Sequence, residues 1–120
     1  MINIKETYPK SYKLLLGFTK TWLRKIQKLF AEQEGMDVSN YEYPEMDEKE
    51  LDGVIDGVLR ANIRNLYEFF DENKVYVEID VTEEFQFTSR VEDNVFTDTT
   101  RYMAEDKAFA EAFKILEEKL

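Results

Sequence analysis

The stretch "EIDVTEE" holds the densest group of side chains able to do chemistry in this chain: Glu78 and Asp80, with Glu83 and Glu84 just beyond. Residues two apart on a strand share a face, so Glu78 and Asp80 could offer oxygen ligands to Mg²⁺ or Ca²⁺. A nuclease-like site would add a lysine two residues after a strand carboxylate. The nearest such triplet, Glu72-Asn73-Lys74, falls at a helix-to-strand junction instead. The same acids suit the solvated face of an amphipathic strand, and they are expected to be exposed and to hold no metal. The chain has no histidine and no cysteine, which removes the usual general base, the commonest metal ligand, thiolate nucleophiles and disulfides together. No glycine-rich phosphate loop, G-x-S-x-G or H-E-x-x-H occurs, and "DEKELD" lacks the spacing of an EF-hand loop. An enzyme built from this chain would have to work with carboxylates, Lys, Tyr or a hard metal ion. The expectation is a non-enzymatic protein without a cofactor.

Charge patterning offers a second kind of chemistry, recognition. The formal charge is −10, yet residues 1–30 carry seven Lys and Arg against Glu6 alone, a surplus of +6. The remaining residues carry nine basic side chains against 25 acids, a deficit of −16. At 100° per residue, Phe18, Leu29, Trp22, Leu15, Ile26, Tyr12, Phe30, Leu23 and Leu16 fill one arc of about 160° on a helix. Lys10, Lys13, Lys20, Arg24, Lys25 and Lys28 fill the opposite arc. Within that basic arc, Lys13, Lys20, Arg24 and Lys28 lie within about 80° of one another. Lys20 with Arg24, and Arg24 with Lys28, are like-charge i,i+4 pairs, each unfavourable by a few tenths of a kcal/mol. Such a row reads either as a solvated helix face or as a surface whose repulsion is offset by acids of this chain, a second copy or a partner. The second reading is adopted, with Lys13, Lys20, Arg24 and Lys28 as candidate partner-binding residues. An anionic membrane or a nucleic acid would be repelled by the acidic bulk of the chain, so neither is expected as a partner.

The elements that must position these residues follow from periodicity. A first helix is predicted over about 9–33, with Thr7 as N-cap, Pro9 in the first turn and Gly35 at its end. Residues 35–46 read as a loop. Asp47 then opens a capping-box-like start, with Glu50 three residues on, to a helix over about 48–72 that stops at Asn73. Asn62 and Asn65 project towards its apolar side and need partners, since an unpaired buried amide costs about 1–3 kcal/mol. From Val75 the apolar period becomes two. A single strand through Val91 would be about 56 Å long at roughly 3.3 Å per residue. That outruns a domain of this size, so strands over about 75–81 and 85–91 are expected to turn on each other around 82–84. A further strand over about 95–101 and a helix over about 103–119 complete the chain. Leu15, Trp22 and Ile26 are expected to be buried with the second and last helices.

The expected fold is therefore one α+β domain over 1–120: two N-terminal helices, a small antiparallel meander and a C-terminal helix. No apolar run approaches the roughly 20 residues of a membrane span, and no signal-peptide core is present. With no cysteine, a cytoplasmic protein is the plain expectation. The functional expectation is a small acidic protein acting by protein–protein contact or self-association. One form is a phage or mobile-element accessory protein that inhibits a host nucleic-acid-binding defence enzyme. The alternatives are a structural subunit of a homo-oligomer or virion, a carboxylate-metal hydrolase, and a small-ligand-binding protein.

Overall fold

The computed structural model describes residues 4–35, 47–61, 63–83 and 86–120. Asn62, Glu84, Phe85 and the loop expected over 36–46 lie outside the described residues. The elements in chain order are α1 (Ile4–Thr7), α2 (Pro9–Gln33), α3 (Glu48–Ala61), α4 (Arg64–Glu72), β1 (Val77–Glu83), β2 (Gln86–Val91), β3 (Asn94–Asp98) and α5 (Arg101–Lys119). The class is α+β, with an antiparallel sheet in the order β1-β2-β3. No helix among the described residues is long and apolar enough to cross a membrane.

Local chemistry accounts for several boundaries. Asp47 accepts the Glu50 backbone N–H through its carboxylate at 2.8 Å, and Asn73 ends α4. Thr100 Oγ1 accepts the Met103 N–H at 3.1 Å. That cap starts α5 at Arg101, so β3 closes at Asp98 rather than running on to 101. β1 and β2 pair from Val77↔Val91 to Glu83↔Gln86, with an irregularity between Val81 and Glu83. The first strand thus sits two residues later than periodicity suggested. The chain leaves β2 through Glu92, at φ +55°, and re-enters the sheet at Asn94 opposite Val91.

Two expectations are corrected. Thr7 does not cap α2: it is the last residue of α1, and Tyr8 occupies the cap position without a side-chain hydrogen bond. The helix expected over about 48–72 is two helices, ending at Ala61 and restarting at Arg64. Its apolar phase runs across the break unchanged, so the period could not reveal it. The pieces bury that stripe in different places, α3 against α2 and α4 towards β1.

The core is built largely of phenylalanine. Phe69, Phe70, Phe109 and Phe113 are fully buried with Leu66, Val75 and Val91. Phe70 meets Phe113 edge-on at 4.8 Å and stacks on Phe109 at 5.9 Å. On α5, Ala104, Ala108 and Ala112 recur every four residues and are fully buried. This small-residue stripe lets the helix lie close on the sheet, close enough for the buried Ser89 hydroxyl of β2 to donate to the Ala104 carbonyl at 2.7 Å.

The core reaches only part-way along α2. Tyr12 and Leu15 belong to it, with Tyr8, Leu16 and Phe18 packed at its edge; among the described residues none of α2 beyond Phe18 joins this cluster, although Thr19 and Ala31 are themselves buried. Leu15 is buried as expected, but Trp22 and Ile26 are only half-buried, which corrects that part of the expectation. The reason is length. A helix of 25 residues extends about 37 Å, whereas α4 has nine. The molecule measures 51 × 31 × 23 Å with a radius of gyration of 16.6 Å, against about 14 Å for a compact chain of this size.

Candidate protein-contact site

The proximal end of α2 is held from the α5 side and from the α3 side. Its first turn has no acidic residue of its own, and Glu117 of α5 supplies one. The Glu117 carboxylate accepts the Lys10 N–H at 3.1 Å, the Ser11 N–H at 2.8 Å and the Ser11 hydroxyl at 2.9 Å. An anion there also faces the positive end of the helix dipole. Partial desolvation opposes ionisation, but the bonds from Ser11 and Lys10 outweigh it and hold Glu117 below its usual 4.5. On the α3 side, Asp52 accepts the Tyr12 hydroxyl and the Lys5 ammonium, the latter at 2.8 Å, and Glu48 lies 3.5 Å from Lys5. Burial, then the bond to Asp52, pushes the Tyr12 hydroxyl well above its ordinary range. It serves as a fixed donor.

From this anchored base the distal half of α2 leaves the core with apolar residues exposed. Leu29 is 54% and Phe30 63% exposed, following the half-buried Trp22, Leu23 and Ile26. The four candidate residues Lys13, Lys20, Arg24 and Lys28 are all exposed. The structure divides them. Lys20, Arg24 and Lys28 run up the distal half, while Lys13 lines a groove between α2 and α4.

That groove, about 490 Å³, has Phe18, Trp22 and Phe69 among its lining residues. The Phe18 and Phe69 rings meet edge-on at 5.5 Å. Asn73 Nδ2 donates to the Phe69 carbonyl at 2.8 Å, fixing the end of the α4 wall. Lys13 and Lys25 stand on the α2 side, Glu68 and Glu72 on the α4 side. Among the described residues no ion pair joins the two sides. Sequence reading missed this groove, and no local signal marks it, because it exists only once α4 is set apart from α3 and laid beside α2.

The carboxylates of β1 are placed otherwise. Glu78 and Asp80 are exposed, opposite Arg90 and Thr88 in the register. The Glu83 side chain and Glu84 fall outside what is described. Among the described residues no three carboxylates converge where a metal ion could be held. Gly53 and Gly57, spaced as in a helix-packing motif, have nothing within 4 Å of where a Cβ would stand.

Chain-wide comparison adds no assignment. No protein-family model, curated protein or solved structure matches this chain.

Two further buried polar residues lie in the helical core, Glu105 and Asn65. Glu105 of α5 accepts the Tyr67 hydroxyl at 2.6 Å; burial first, then that bond, raises the tyrosine well above its usual range. Tyr67→Phe should leave Glu105, itself buried, without this donor and cost about 1–3 kcal/mol, measurable by urea denaturation. Asn65 is buried, with its Nδ2 lacking a hydrogen-bond partner, contrary to the expectation that such an amide is satisfied.

Proposed function

We propose that this protein acts without catalysis, by protein–protein contact, and that the distal half of α2 is the contact element. The observation that carries this is the exposure of Leu29 and Phe30 on a helix that also presents Lys20, Arg24 and Lys28. Apolar side chains left in water at the end of a well-anchored helix favour burial against a partner, at about 25 cal/mol per Å² of apolar surface removed from water. The cations beside them select a partner surface with acidic groups around an apolar centre, and electrostatic steering speeds the encounter. The chain's own excess of carboxylate disfavours nucleic acid on the same helix.

A photoreactive amino acid placed at position 30 tests this in cells. A discrete adduct with a second protein is expected, weakened by added salt, since exposed charges are screened beyond about 8 Å at physiological ionic strength. The triple variant K20E/R24E/K28E should lose the adduct while keeping its circular dichroism spectrum. Persistence of the adduct in the folded triple variant, or its absence from the wild type, would remove the distal half of α2 as the contact element.

A further inference from the structure

We propose that the groove between α2 and α4 is a self-association face, closed by a second copy of this chain. Its two sides carry opposite charge, with Lys13 and Lys25 on α2 against Glu68 and Glu72 on α4. No ion pair among the described residues joins them across the groove, so both sets of charge are available to an occupant.

A twofold axis along the groove turns one copy over onto the other and places each α2 side against its partner's α4 side. Lys13 and Lys25, spread along the α2 side of each copy, then lie over the side that carries Glu68 and Glu72 in the other. The spacing between the charged sides matches by symmetry, as an isologous contact requires. A foreign ligand would have to bring both signs at that spacing; a second copy does so automatically. The same closure covers Leu14, 38% exposed on the basic side, and takes the half-buried Trp22 ring out of water. The distal contact proposed above rests on other residues of α2, among them Leu29 and Phe30, which do not line the groove. Lys20, Arg24 and Lys28 do not line the groove, and either proposal can fail alone.

Sedimentation equilibrium of the full chain, with Trp22 emission followed on dilution, tests the proposal. Trp22 is the chain's one tryptophan, so its emission reports on the groove. The wild type is expected to approach twice the 14.3 kDa chain mass, with emission shifting to the red as it dissociates. The variants K13E/K25E and E68K/E72K should each fold, by circular dichroism, and each dissociate at least about tenfold more readily, since opposite charges facing across the contact become like charges. Mixed in equal amounts, they should recover the dimer mass, because every side of the mixed pair meets its opposite. K20E/R24E/K28E should dimerise as the wild type does. A wild type that stays monomeric at its highest attainable concentration overturns the proposal, as does a mixture of the two variants that fails to associate. Uptake of free tryptophan by a monomeric wild type, lost in K13E/K25E, would overturn it in favour of a small zwitterionic ligand.

Discussion

Phe113→Ala is expected to destabilise the fold by about 3–5 kcal/mol, roughly a fifth or more of the about 5–15 kcal/mol that holds a domain together. Phe113 is 1% exposed and its ring meets those of Tyr8, Phe69 and Phe70. Removing it opens a cavity where α2, α4 and α5 join, and three rings lose a neighbour that none can replace. Chemical denaturation would show the loss as a lowered midpoint at unchanged slope. Trp22→Ala is the instructive comparison. It removes a larger side chain but one that is half-buried and outside the core, so its cost should fall clearly below that of Phe113→Ala. Equal losses would mean that the core extends further along α2 than Phe18.

The second large effect belongs to Glu117. Ser11 is fully buried, and both its N–H and its hydroxyl donate to that carboxylate. Glu117→Ala leaves these donors without it and is expected to cost about 1–3 kcal/mol. The same contact has a pH signature. Glu117 ionises below its usual 4.5 in the folded protein. Its contribution is therefore complete above that ordinary value and is lost as pH falls through the lower, folded one. Asp52, bonded to Lys5 and Tyr12, and Asp98, bonded to Lys107 and the Thr99 N–H, are shifted the same way. The wild type alone would mix all three contributions. The measurement is the difference between the wild type and Glu117→Gln in unfolding free energy from neutral to acid pH. That difference should shrink as pH drops below about 4.5. A difference that is flat with pH would mean that the carboxylate's charge does not support α2.

The α+β class is legible in the chain because its periods are clean: 3.6 along Tyr12, Leu15 and Phe18, and two along Val75, Val77 and Ile79. The caps at Asp47 and Asn73 are legible for the same reason, since each acts on its own neighbours. Periodicity names the face of a helix that is apolar but not how far along the helix the core extends. Trp22 and Ile26 therefore read as core although they lie beyond its edge. The division between α3 and α4 is hidden because the stripe from Leu51 to Phe70 keeps one phase through it. Of the candidate cations, exposure is legible for all four, but only the placement of α4 separates Lys13, on the groove, from Lys20, Arg24 and Lys28. Glu117 as the cap of α2 has no local mark at all, being 106 residues from Ser11.

That separation bears on how the protein is made. At about 5–20 residues per second, a ribosome needs roughly 5–20 s to travel from Ser11 to Glu117. During that interval α2 is already synthesised, while the carboxylate that completes its first turn is not. The first turn of α2 is thus completed by a residue made 106 positions after Ser11. A nascent chain arrested before Glu117 should hold α2 with an open, fraying start, and the distal half of α2 gains its rigid base only once that carboxylate has been made.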